Sequence, residues 1–242
     1  MYETVNGVRT WYETHGDGEP LVLLHGGFSD SRDFGTILAG LPFRVYLLDR
    51  RGHGRTPDVP GPVTLDVLAG DVIAFLTEIV GGPAAVLGYS AGGVVALGVA
   101  ARRPDLVRKL VVMNSASAKD GWIFLPEPGG ELPDSLVDRY AEVSPDGRDH
   151  LPVVVAKYSH AAQSDEAVDL TGIASPTLVL GSDDDIVHLE HTVAMYRGIA
   201  DAQLCVLPGT SHLALWERPE LCASVVTEFL TVAAKPLMPI RR

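Results

Sequence analysis

Apolar residues in this chain fall into short unbroken runs separated by longer amphipathic stretches. The runs occupy 21–24, 44–48, 84–87, 110–113, 177–180 and 203–207. A strand covered on both faces of a parallel sheet needs such a run, because successive side chains point to opposite faces and both are dry. Residues 8–15 differ: Val8-Arg9-Thr10-Trp11-Tyr12-Glu13-Thr14-His15 alternates and follows an Asn6-Gly7 turn, the pattern of a half-exposed strand. Helical patterns cover 65–80, 91–103, 191–199 and 219–232. Strands alternating with helices predict an α/β, doubly wound, mostly parallel sheet.

One stretch, 115–175, breaks the rhythm. It holds Pro126, Pro128, Gly129, Gly130, Pro133, Pro145, Gly147 and Pro152. Within it Leu132, Leu136, Tyr140 and Val143 recur at helical spacing, and a second helix is expected over 153–163. A structureless insertion of this size is uncommon inside a compact domain unless it serves function. It reads as a small helical lid over 115–175, after the strand at 110–113, splitting one core domain into 1–114 and 176–242.

Composition narrows the function. The chain has 242 residues, enough for one core with a small insertion, and a net charge of −12. That balance disfavours nucleic acid and anionic membrane as partners. No apolar run reaches the roughly 20 residues of a membrane span, and the N-terminus lacks the basic and apolar regions of a signal peptide. A cytoplasmic protein is expected, with Cys205 and Cys222 as thiols. The sequence leaves oligomeric state open.

Gly88-Tyr89-Ser90-Ala91-Gly92 is the most informative stretch. It follows the run 84–87 and precedes a small-residue helical stretch, the context of a nucleophile elbow. The chain turns so sharply at Ser90 that Gly88 and Gly92 must lack a Cβ. A serine nucleophile needs a base, itself oriented by an acid. Downstream, one strand ends in Asp183-Asp184-Asp185 and another runs into Gly209-Thr210-Ser211-His212. Both follow the carboxyl ends of strands, where open α/β sheets carry their sites. Clustered acids also suit a metal, but three consecutive side chains do not converge on one ion and no EF-hand spacing is present. No phosphate loop or dinucleotide fingerprint occurs.

These segments, with Leu23-Leu24-His25-Gly26-Gly27, Asp49-Arg50-Arg51-Gly52-His53-Gly54-Arg55-Thr56 and Glu217-Arg218-Pro219, resemble the α/β-hydrolase family over nearly the whole chain. The resemblance is nearest to small esterases, lactonases and cofactor-free haloperoxidase-like members. It implies about eight strands. It also implies a catalytic set of Ser90, Asp184 and His212, the acid being placed by aligning Gly181 and Ile186-Val187 with the family's acid loop. Some relatives carry the acid after the sixth strand, where this chain has Asn114. The oxyanion donors implied are the N–H groups of Gly27 and Ala91. His25 is expected to order its loop, and Asp49 to Arg55 to shape the next one. Phe28 and Tyr89 are candidate substrate-pocket walls.

The expected activity is hydrolysis of a small carboxylic ester or lactone through an acyl-Ser90 intermediate, with no cofactor or metal. The alternatives are amide or carbon–carbon cleavage, perhydrolase or haloperoxidase-type chemistry on the same residues, and a ligand-binding module with a slow or vestigial triad.

Overall fold

The computed structural model describes residues 1–35, 41–233 and 238. Residues 36–40 of the expected first core segment, and 234–237 and 239–242 of the expected second, lie outside the described residues. The strands are β1 (Tyr2–Val5), β2 (Val8–His15), β3 (Pro20–Leu24), β4 (Arg44–Leu48), β5 (Ala84–Tyr89), β6 (Val107–Met113), β7 (Thr177–Asp184) and β8 (Ala202–Ser211). They form one open sheet in the order β1-β2-β4-β3-β5-β6-β7-β8. The pairs β1–β2 and β2–β4 are antiparallel, and the other five are parallel. β1 is absent from the apolar pattern because three of its four residues face solvent. The hairpin joining it to β2 turns through Asn6 and Gly7, at φ 49° and 75°.

The unbroken apolar runs divide between two cores. In β3, Val22 and Leu24 pack on one face while Leu21 and Leu23 pack on the other. β6 splits alike, with Leu110 and Val112 against Val111 and Met113. Helices α1 (Leu65–Phe75) and α2 (Ala91–Arg102) cover the first face through Phe75, Leu97 and Val99. Helices α6 (Ala214–Glu217) and α7 (Pro219–Thr231) cover the second through Leu215, Val226 and Phe229. The helix expected over 65–80 is α-helical to Phe75 and finishes as a π-turn, Leu76–Val80, ended by Gly81 at φ 85°. Among the described residues the remaining core helix is α5 (Leu189–Gly198).

Between β6 and β7 lie α3 (Asp134–Ala141) and α4 (Leu151–Ala162). Tyr140, Leu151, Val154 and Tyr158 join the first core cluster. Polar contacts tie this insertion to the loops after β3 and β4. Arg139 of α3 reaches Asp33 at 2.8 Å and Asp30 at 3.3 Å. Lys157 reaches Asp58 at 2.6 Å, and the Tyr158 hydroxyl donates to the Arg51 carbonyl at 2.7 Å. Both loops leave the carboxyl edge of the sheet, so the insertion lies against the site edge.

Candidate active site

Ser90 occupies the sharp turn from β5 into α2, at φ 54° and ψ −125°. A non-glycine residue there stores strain, of order 1–3 kcal/mol, that the surroundings must impose. The surroundings are explicit. The Ser90 N–H donates to the Met113 carbonyl at 3.0 Å, and the Ser90 carbonyl accepts from Gly93 N–H at 2.8 Å and Ser115 Oγ at 2.7 Å. The turn is also packed too tightly for side chains. A Cβ on Gly92 would sit 2.2 Å from the Leu24 carbonyl oxygen, and one on Gly88 2.3 Å from that of Gly92. We expect Gly92→Ala to cost about 3 kcal/mol or more, because backbone and not a flexible side chain must yield. Urea unfolding would measure it, and a loss below about 1 kcal/mol would contradict the packing argument.

The Ser90 hydroxyl lies 2.9 Å from His212 Nε2, to which it donates. On its other side His212 Nδ1–H donates to Asp185 Oδ1 at 2.7 Å. The acid facing the histidine is therefore Asp185, and the expectation of Asp184 is corrected. β7 continues past its aliphatic run to Asp184, which is exposed and registered against Ser211, with an irregularity between Ser182 and Asp184. That irregularity resets the alternation of side chains. Asp185 follows the strand end and turns inward, its side chain 2% exposed. It also accepts from the Val187 N–H at 3.3 Å, a short Asx-type turn. Asp183 bonds the N–H groups of Gly209 and Thr210 at 2.9 and 3.1 Å, pinning the loop before His212 and holding its carboxyl below the usual range.

Several residues brace these three, and sequence reasoning did not assign them this part. Asn114, at the end of β6, donates to Asp185 Oδ2 at 2.7 Å and to Ser182 Oγ at 2.8 Å. Glu217 accepts from the Ser211 N–H and hydroxyl, each at 2.7 Å. The only sequence signal for Glu217 was its place in the Glu-Arg-Pro motif. Trp122 packs its ring 6.1 Å from that of His212 and bridges to Val187. Tyr89, expected as a pocket wall, is buried with its hydroxyl donated to the His212 carbonyl at 2.5 Å. It supports the histidine from within the core. Phe28 is half-buried, with its ring stacked 6.3 Å from His53.

The loop after β3 faces Ser90 and is shaped by two buried histidines. His25 Nε2 accepts from the Arg50 N–H at 3.0 Å, which assigns the proton to Nδ1, and Nδ1–H donates to the Gly26 carbonyl at 2.7 Å. His53 Nε2 accepts from the Phe28 N–H at 3.0 Å, and its Nδ1–H donates to the Arg51 carbonyl at 3.0 Å. Phe28 is held at φ 55° with its amide consumed. The neighbouring Gly27 N–H has no acceptor among the described residues, nor does that of Ala91, the first residue of α2. Positions 27 and 91 are adjacent, since a Cβ on Gly27 would lie 3.5 Å from that of Ala91.

Burial keeps both loop histidines neutral. It pushes His53 down to about 3 and His25 well below its usual value, with the Arg50 charge acting in the same direction. Below about pH 6.5 the unfolded chain binds protons these two refuse, so stability falls as pH falls. Asp33 opposes this, because burial raises its carboxyl to about 6 and the folded state takes up its proton first. Asp49, also raised by burial, opposes the decline as Asp33 does, and His191, lowered by burial, adds to it, leaving a net fall in stability smaller than the two loop histidines alone would give. Denaturant unfolding at pH 7, 6 and 5 should show this decline, and a flat or rising stability would refute it.

Among the described residues no group of three or more His, Cys, Asp or Glu side chains is arranged to hold a metal ion. No described helix is long and apolar enough to cross a membrane.

An open, mostly parallel sheet with a serine elbow at its carboxyl edge defines the α/β-hydrolase class of protein. The chain belongs to the alpha/beta hydrolase family, whose model matches residues 21–225. It is similar to the 2-hydroxy-6-oxo-6-(2'-aminophenyl)hexa-2,4-dienoic acid hydrolase of Metapseudomonas resinovorans, at 25% identity over 95% of this chain and 90% of that one. Among solved structures it resembles the enol-lactonase from Burkholderia xenovorans LB400, with TM-score 0.79 and 24% identity over 96% of this chain and all of that one. It also resembles a thermophilic esterase from Thermogutta terrifontis, with TM-score 0.80 and 23% identity over 95% and 97% of the two chains. The relatives support an enzyme of the hydrolase superfamily.

Proposed function

We propose that this protein hydrolyses a carboxylic ester or lactone of a small, uncharged molecule through an acyl-Ser90 intermediate. The observation that carries the reading is the hydrogen-bonded series from Ser90 Oγ through His212 to Asp185. In this reading Ser90 Oγ attacks the carbonyl carbon while His212 Nε2 takes its proton. Asp185 holds His212 in the required tautomer and stabilises the imidazolium that forms. The tetrahedral oxyanion is received by the N–H groups of Gly27 and Ala91, the second at the positive end of α2. His212 passes its proton to the leaving alkoxide oxygen. Water, deprotonated by His212, then attacks the acyl carbon and frees Ser90.

An uncharged, apolar substrate fits the surroundings. Ile123, Phe124 and Leu213 are exposed apolar residues adjoining Trp122 and His212, at 56%, 62% and 52% exposure. The insertion's Arg139, beside the loop after β3, is committed to Asp30 and Asp33. Residues 115–175 serve in this reading as the lid that shapes the pocket. The test pairs labelling with turnover. A fluorophosphonate should add once to the wild-type protein, at Ser90, and a panel of neutral p-nitrophenyl esters and lactones should be hydrolysed in preference to carboxylate-bearing analogues. A folded protein that takes no label and turns over no ester would overturn the proposal.

A further inference from the structure

Arg50 lies under the loop after β3 with its charge buried and no carboxylate paired to it among the described residues. It is 3% exposed. Its Nη2–H groups donate to the carbonyls of His25 and Gly26, at 2.8 and 2.9 Å. Its Nε and Nη1 have no acceptor among the described residues, and no described carboxylate pairs with it. The neighbouring acid, Asp49, is spent on the Ser31 and Arg55 N–H groups and the Arg55 guanidinium. The next arginine, Arg51, is matched to Asp71 at 2.5 Å. Burying an unpaired guanidinium costs several kcal/mol, and a hydrophobic residue would avoid that cost. A full positive charge therefore persists behind the loop, since arginine does not deprotonate in proteins.

The peptide it touches matters. The Gly26 carbonyl and the Gly27 N–H belong to one planar peptide unit. That carbonyl accepts two hydrogen bonds, from Arg50 Nη2 at 2.9 Å and from His25 Nδ1 at 2.7 Å. Donation to a carbonyl draws electrons along the amide and strengthens its N–H as a donor, as in any hydrogen-bonded chain. The same two bonds fix the plane of the peptide, and so the direction of the N–H.

We propose that Arg50 is a positioning residue for the oxyanion hole: its buried, unpaired charge orients and polarises the Gly26–Gly27 peptide so that the Gly27 N–H stabilises negative charge forming over Ser90. The inference rests on the reading of Ser90 as nucleophile and Gly27 as donor. It does not require Arg50 to touch substrate. The contribution is electrostatic and arises as the oxyanion forms, so it acts on kcat and leaves KM nearly unchanged.

The experiment compares wild type with Arg50→Lys, Arg50→Gln and Arg50→Met. Each is checked for folding by circular dichroism and thermal unfolding. Three quantities are read: the rate of Ser90 phosphonylation by a fluorophosphonate, kcat and KM for an ester the wild type hydrolyses, and the Ki of a trifluoromethyl ketone that binds as an anionic tetrahedral adduct. Loss of one whole oxyanion donor costs about 100- to 1000-fold, so weakening one should cost about 10- to 100-fold. Arg50→Met is expected to lose that much in kcat, in labelling rate and in Ki together, with KM within about threefold. Arg50→Lys should recover much of the loss because it restores the charge, whereas Arg50→Gln, a neutral donor, should recover little.

Folded variants with unchanged kcat and Ki would overturn the proposal. So would a rise in KM alone, or equal losses in the Lys and Gln variants. If Arg50→Met does not fold, the Lys–Gln comparison carries the test unaided. A wild-type protein inert to the fluorophosphonate would overturn the nucleophile reading itself, which is a distinguishable result.

Discussion

Replacing Asp185 with asparagine should lower kcat about 10,000-fold, while Asp184→Asn should change it less than about threefold. The two carboxylates are neighbours in sequence, yet the structure gives them different surroundings. Asp185 Oδ1 accepts from His212 Nδ1 at 2.7 Å, and its Oδ2 accepts from Asn114. Asparagine at 185 could present its NH2 to His212 and favour the tautomer with the proton on Nε2. That tautomer cannot accept from Ser90, and the group that stabilises the imidazolium is also gone. A 10,000-fold loss is about 5.5 kcal/mol of transition-state stabilisation. Asp184 is exposed at the end of β7 and has no contact with His212. Steady-state kinetics on both variants, with wild-type-like unfolding as the control, decide the matter. A large loss in Asp184→Asn with little in Asp185→Asn would mean that the acid loop rearranges on binding substrate.

Ser90→Ala should abolish turnover, by about 10,000-fold or more, and should remove fluorophosphonate labelling altogether. Companion measurements on Ser90→Gly separate chemistry from strain. Ser90 is held at φ 54°, a conformation glycine adopts freely and alanine does not. Ser90→Gly should therefore be more stable than Ser90→Ala by about 1 kcal/mol, although both are inactive. Such a gain would identify the elbow as a place where stability is given up to project the nucleophile. Residual labelling of Ser90→Ala would show that another nucleophile carries the reactivity. Equal stability of the glycine and alanine variants would show that the elbow is not strained.

The sheet was legible because a strand buried on both faces leaves a direct trace, an unbroken apolar run. Val22 and Leu24 feed one core while Leu21 and Leu23 feed the other, so all four must be apolar. β1 left no trace because its residues mostly face water. The elbow was legible too, since Gly88 and Gly92 are demanded by contacts with nearby backbone. The positions of Ser90 and His212 follow from motifs tied to strand ends.

What the sequence could not decide was which of three adjacent aspartates meets His212. That depends on how far β7 extends and on an irregularity between Ser182 and Asp184, both set by pairing with β8. Nor could it place Asn114, distant in sequence from Asp185 and joined to it only because β6 and β7 are neighbours. Tyr89 is by sequence a candidate for either a pocket wall or the core, and strand alternation turns it into the core beneath His212. The pattern of residues thus determined the sheet, the elbow and the order of the groups. Tertiary packing alone decided which side chains meet, because strand register and side-chain direction are set by partners far along the chain.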